Sequence, residues 1–320
     1  MAKLTQKLLR RLGDRPAKLA FGVTNMAPVR RRLEQRYAAA LASHRPALPI
    51  LSPSDQDIVD TLSRTGVYVT SLEALGIPGS AAMFAAAQRV AADCTDMARR
   101  LSDAGRDFIV APPTAILAHD EIFHWGLNSR LLDIAEAYIG LPVAYDGLAL
   151  IYTVANGRGG GAREWHRDRE DRKMIKVAVY CCDVEPGGGP LQVISRPDPG
   201  QTDANGYRYA GGSEEELTSR LGVDYRDSVV TCTGAAGTVV FTDTARFFHR
   251  GQPAHTHDRT ALYYSYFARQ TRHPFFCQRS GLNPRQLETL ALGMPPRQRN
   301  ATLWARSLHP LLKIIPPAPV

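Results

Sequence analysis

Scarcity narrows this chain first. Cysteine is rare: Cys94, Cys181, Cys182, Cys232 and Cys277 are an odd number with no Cys-x-x-Cys spacing. That argues against a disulfide framework and against a cysteine-based zinc site. No apolar run reaches the eighteen or so residues of a transmembrane helix, and the N-terminus lacks the continuous apolar core of a secretory signal. The expected location is therefore cytoplasmic. Four glycines fall between Asn156 and Gly161, but a strand pattern rather than a helix follows them, so they are no dinucleotide fingerprint. There is no internal repeat. Acidic residues are nearly missing from one end: residues 1–45 hold 11 of the 39 Lys/Arg and only 2 of the 31 Asp/Glu. The rest of the chain carries 28 and 29, close to balance.

With 44% hydrophobic and 22% charged residues over 320 positions, the composition is that of an ordinary globular protein able to bury a sizeable core. The basic surplus belongs to an N-terminal appendage, residues 1–45, and says nothing of the partner of the remaining domain, residues 46–320. Leu4, Leu8 and Leu12 recur among basic residues, which predicts a basic amphipathic helix over 2–12, and a second helix is expected over 29–43. The segment has few aromatics to stack on bases, which argues against nucleic acid. Beyond a solvated helix pair, its composition allows contact with an anionic membrane surface. Removing it is expected to leave the fold intact.

Residues 54–140 read as a helical buttress: a helix from Ser54 to near Gly66, a short strand over 67–70, a long helix over 79–102, a strand over 107–110 and a helix over 128–139 stopped by Gly140. From 142 to 270 the texture changes to short β-rich runs between Gly, Pro and Asp turns, at 143–154, 164–168, 174–182, 191–194, 228–231, 238–242 and 259–267. Ser213-Glu-Glu-Glu216 is a capping-box pattern that predicts a two-turn helix among them. In the C-terminal extension, 271–320, Asn283-Pro284 opens another helix, and 311–320 reads as a surface tail. A mainly β sandwich or barrel with flanking helices is the fold class expected.

The chemistry concentrates at Trp165-His166-Arg167-Asp168. Residues two apart in an extended strand face one way, so His166 and Asp168 would project side by side as neighbouring ligands of one metal ion. His249, in Phe247-Phe248-His249-Arg250-Gly251, is the best third ligand. Two histidines and a carboxylate with three positions left open is the ligand set of non-haem Fe(II) oxygenases. Ten residues after His249, Arg259 opens a strand-like run, where a guanidinium can clamp a carboxylate through two parallel hydrogen bonds. The order His-x-Asp, a second His, then Arg resembles the phytanoyl-CoA dioxygenase-like branch of the Fe(II)/2-oxoglutarate oxygenases. So do Lys176-Val-Ala-Val-Tyr180, Gly189-Pro-Leu-Gln-Val-Ile194 and Asp243-Thr244. The resemblance covers about residues 140–270.

That resemblance implies a double-stranded β-helix, or cupin-like jelly roll, holding Fe(II) through His166, Asp168 and His249. It further implies 2-oxoglutarate and O2 as cosubstrates, with Arg259 on the distal carboxylate. Some members support this arginine with a serine two residues after the second histidine, where this chain has Gly251. Lys176, a charge inside an apolar run, is then a candidate cosubstrate contact, and Tyr152 is another. The implied activity is hydroxylation of an unactivated C–H bond of a small molecule with release of succinate and CO2. Related halogenases lack the carboxylate, so Asp168 favours hydroxylation over halogenation, with desaturation, ring closure and epimerisation left open. The alternatives are a non-catalytic metal-binding jelly-roll module and a zinc hydrolase. The glycine loop at 156–161 is expected to be a mobile gate beside the metal.

Overall fold

The computed structural model describes residues 15–106, 109–197, 206–207, 211–277 and 280–316. The helix expected over 2–12, and the first two residues of the strand expected over 107–110, lie outside them. Among the described residues nine strands form two antiparallel sheets. They are β1 (Val67–Ser71), β2 (Ile109–Val110), β3 (Val143–Thr153), β4 (Met174–Tyr180), β5 (Leu191–Ile194), β6 (Val229–Cys232), β7 (Thr238–Thr242), β8 (His249–Gly251) and β9 (Arg259–Ala268). The large sheet runs β1-β7-β4-β9-β3-β2 and the small one β6-β5-β8.

Strand alternation sorts the side chains into two layers. Val177 and Val179 of β4, Leu150 of β3, Phe241 of β7 and Leu262 of β9 join one core with Leu62, Met83, Leu131 and Ile134 of the helices. The intervening residues face the small sheet. Ala178, Tyr180, Val240 and Ala261 pack there against Leu191, Val193 and Cys232. The helices Pro53–Thr65, Ser80–Asp93 and Ser129–Ile139 thus cover one face of the large sheet. The opposite face closes on the small sheet and leaves a cavity between them.

Several local expectations shift. The helix at Pro53–Thr65 is capped by Ser52, whose hydroxyl accepts from Asp55 N at 3.2 Å. Pro53 stands in its first turn, where a missing N–H costs nothing. The helix expected over 79–102 breaks at Cys94 into Ser80–Asp93 and Thr95–Asp103. The break lets Ala98 pack on Ile109 and Tyr152. Residues 164–168 are not a strand. They make two isolated bridges, Trp165 to Gly212 and His166 to His249, because Asp168 N turns away to donate to Thr244 O at 2.7 Å. Strand β8 was not anticipated; three residues are too few for a period to register. The tail at 311–320 begins in a short helix, Pro310–Lys313, and Ile315 packs against Ala17, Phe275 and Phe276. None of the five cysteines forms a disulfide. Among the described residues no helix is long and apolar enough to cross a membrane.

The N-terminal helices, Arg15–Thr24 and Ala27–His44, lie against the domain. Glu34 bonds Arg172 at 2.7 Å and Tyr207 at 2.5 Å, and Arg272 lies 3.4 Å from it. His44 Nε2 is 2.8 Å from Glu136. Tyr37 and Leu41 pack on the main core. Burial of the Glu34 carboxyl opposes its ionisation, but the arginines and the Tyr207 hydroxyl outweigh it and hold the group below the usual carboxylate range.

Candidate metal and carboxylate site

His166 owes its position to the residue before it. Trp165 is buried with Leu217, Leu221, Tyr225 and Phe248, and the Arg250 guanidinium lies 4.3 Å over its ring. His166 and His249 exchange both backbone hydrogen bonds at 3.0 Å, which brings their rings to 4.3 Å between centroids. Each Nδ1 points at a carbonyl: His166 at Glu164 O, 2.8 Å away, and His249 at Phe247 O, 3.4 Å away. A bond of that kind keeps the proton on Nδ1 and turns the Nε2 lone pair toward a metal.

Asp168 completes the group. One ligand atom from each of His166, Asp168 and His249 lies within 4.8 Å of the others, and His249 Nε2 is 3.8 Å from Asp168 Oδ2. The set is looser than the ~3–4 Å expected between donors around one ion, yet all three converge. Burial, and then the neighbouring His166, push the His249 pKa down to about 3, so the imidazole is in its neutral, ligating form. The turn behind Asp168 is firmly built. Buried Asp243 accepts from Ala245 N at 3.0 Å and Arg246 N at 3.1 Å, and Tyr138 Oη donates to its other oxygen. That turn presents the Thr244 carbonyl that holds Asp168 N.

Arg259 lines the same cavity of about 190 Å³ as the three candidate ligands. It is 5% exposed. Its Nη1 donates to Gly189 O and its Nη2 to Thr153 Oγ1 at 3.3 Å. Its Nε is buried without a hydrogen-bond partner, and no carboxylate pairs with it among the described residues. A Cβ on Gly251 would lie 3.3 Å from Arg259 Nη2, so the absence of a side chain there leaves the guanidinium its room. A buried guanidinium without an acid is costly unless an anionic ligand completes it.

Lys176 also lines the cavity, but its ammonium sits 2.5 Å from Asp168 Oδ2. Tyr152 does not reach the site. Its neighbour Thr153 faces the cavity, so period two sends Tyr152 outward, where its hydroxyl donates to Asp258 Oδ2 at 2.8 Å. The glycine loop does lie beside the cavity, since Ala162 and Arg163 line it. It is tied down: Asn156 Nδ2 donates to Ser102 Oγ at 2.8 Å, Arg158 Nη1 to Ser102 O at 2.7 Å and Gly157 N to Ala254 O at 2.8 Å. Sequence reasoning missed Thr153, Gly189 and Thr244. Thr153 stands opposite Arg259 in the β3–β9 register, a signal that exists only once the pairing is known.

No family model matches the chain, and no curated protein matches it. Solved structures do. EctD from S. alaskensis in its apoform is 21% identical, with 70% of this chain and 80% of that one covered at a TM-score of 0.46. EctD with 2-oxoglutarate and 5-hydroxyectoine is 19% identical, with 69% and 77% covered at 0.45. The epimerase SnoN in complex with Fe3+, alpha ketoglutarate and nogalamycin RO is 16% identical, with 76% and 93% covered at 0.42. Likenesses this distant carry no inference about this chain's chemistry, which rests on its own residues.

Proposed function

We propose that this chain is an Fe(II)- and 2-oxoglutarate-dependent oxygenase of the phytanoyl-CoA dioxygenase-like kind, with its two sheets forming a double-stranded β-helix. The observation that carries the reading is a conjunction. A two-histidine, one-carboxylate set and a buried arginine with no acidic partner among the described residues line one cavity. His166, Asp168 and His249 would hold the iron, and Arg259 would take the distal carboxylate of 2-oxoglutarate. Bound there, iron would supply activation of O2 coupled to decarboxylation of 2-oxoglutarate to succinate and CO2. The chain's own part is to orient and to exclude water. The Nδ1 contacts would fix the imidazoles, the Asp243 turn would fix Asp168, and the apolar walls contributed by Ala149, Ile151, Ala178 and Leu191 would help exclude water. The proposed outcome is hydroxylation of a small molecule.

The test is succinate formation and O2 uptake by the Fe(II)-loaded full-length protein with 2-oxoglutarate, alone and across a metabolite screen. Asp168→Ala should abolish both, because it removes the one charged ligand. Turnover that persists without O2 and with Zn2+ would instead indicate a hydrolase, a reading that leaves Arg259 without a task.

A further inference from the structure

The large apolar side chains left exposed are not scattered evenly. Ten stand exposed among the described residues, and five of these lie on or beside two short helices at opposite ends of the sequence: Leu19, Val23, Met26, Leu311 and Ile314. The N-terminal helix and the residue that follows the C-terminal one share a cluster. The inward side of Arg15–Thr24, with Ala17, Ala20 and Phe21, packs in one cluster with Phe275, Phe276 and Ile315. Ile315 directly follows the helix Pro310–Lys313 and its neighbour Ile314. Leu19 and Val23 are four residues apart, one helical turn, on the outward side. Their exposures are 73% and 49%, with Leu311 at 66% and Ile314 at 76%. Exposed apolar side chains therefore stand on both segments that flank this cluster.

The charge on the two N-terminal helices is almost all of one sign. Between residues 15 and 45 there are seven Lys/Arg and a single acid, Glu34, and Glu34 is turned inward onto Arg172 and Tyr207. Arg31, Arg32 and Arg36 on the adjoining helix are exposed. A second copy of this chain would bring like charges together. An anionic bilayer offers what both components require: acyl chains for the apolar side chains and phosphate headgroups for the flanking cations.

We propose that this end of the molecule is a peripheral docking surface for an anionic lipid bilayer, holding the enzyme on a membrane face without spanning it. The proposal is independent of the metal site. The experiment is flotation of the full-length protein with vesicles of phosphatidylcholine alone and with vesicles that also contain phosphatidylglycerol. Binding to the anionic vesicles should exceed binding to the neutral ones by about tenfold or more and fall as salt screens the headgroups. Leu19→Gln/Val23→Gln and Arg31→Glu/Arg32→Glu should each reduce that binding about tenfold. Both should leave the melting temperature unchanged, since all four side chains are exposed. Equal binding to the two vesicle types overturns the proposal, as does wild-type binding by both double variants. So does a concentration-dependent dimer that Leu19→Gln/Val23→Gln abolishes, which would assign the patch to a second copy.

Discussion

In the proposed site Arg259 would have a task that none of the three candidate metal ligands can perform. A guanidinium offers two parallel donors at fixed spacing and keeps its proton, whereas lysine offers a point charge on a shorter arm. Arg259→Ala should weaken 2-oxoglutarate binding by about 3–5 kcal/mol, the cost of breaking a buried ion pair, and Arg259→Lys should weaken it less. Fe(II) affinity should survive both. Titration of the anaerobic Fe(II) protein with 2-oxoglutarate, read in its metal-to-ligand charge-transfer band, measures this, and an unchanged dissociation constant in Arg259→Ala would remove the residue from the site. Lys176 separates in the opposite sense. Its ammonium lies on Asp168, so we propose that it orients that carboxylate. Lys176→Met should then raise the Fe(II) dissociation constant by about tenfold, as loss of a ligand's supporting contact does. If 2-oxoglutarate affinity falls and Fe(II) affinity does not, Lys176 belongs to the cosubstrate instead. That His166, Asp168, His249 and Arg259 come together around one cavity was legible because rare residue types fell in a telling order. The carbonyls of Gly189 and Thr244 were not, since any residue type can supply a carbonyl.

Runs rich in β-branched and aromatic residues were legible from four residues upward. β4 and β9 span 7 and 10 residues buried nearly throughout, long enough for that content to register. β8 has 3 residues and exists because β5 and the His166 bridge hold it on either side. After β9 no sequence pattern marks His273, which is fully buried among the rings of Phe21, Tyr207, Phe275 and Phe276. Burial, and then Arg272, Arg172 and Arg169, push its pKa down to about 2. The folded value thus lies below the ~6.5 of an unfolded histidine, and on acidification the unfolded chain takes the proton first. The neutral ring's contribution is intact above pH ~6.5 and is lost as pH falls from there toward the folded value, by about 1.4 kcal/mol per pH unit. His273→Phe should flatten that part of the stability profile. Denaturant unfolding from pH 7 down to pH 5 compares the two slopes; identical slopes would mean that His273 is not buried neutral.

At the scale of the molecule, charge and packing draw different boundaries. Charge counting separates residues 1–45 from the rest, because the surplus ends there. The contacts of residues 15–44 do not respect that line. The N-terminal helix supplies Phe21 to the ring cluster about His273. The next helix supplies Glu34, the acid set against Arg172 and Arg272, whose side chains are only 10% and 6% exposed. Composition could not reveal this, since one glutamate among seven cations looks incidental until its partners are seen. We propose that residues 15–45 belong to the folded unit. Deleting residues 1–45 removes the carboxylate from two nearly buried guanidinium groups and uncovers Phe275 and Phe276. The cost should be about 2–4 kcal/mol, below the full value of a buried pair because Glu34 is itself part-exposed. In a chain of this size that corresponds to a drop of about 3–6 °C in melting temperature. The candidate metal site lies between the sheets and shares no residue with this contact, so Fe(II) affinity at low temperature should be retained. Differential scanning calorimetry and Fe(II) titration of the truncated protein decide the matter together. An unchanged melting temperature would restore the boundary at residue 45. Loss of Fe(II) binding in a protein that still melts cooperatively would show that the N-terminal helices reach the site as well as the fold.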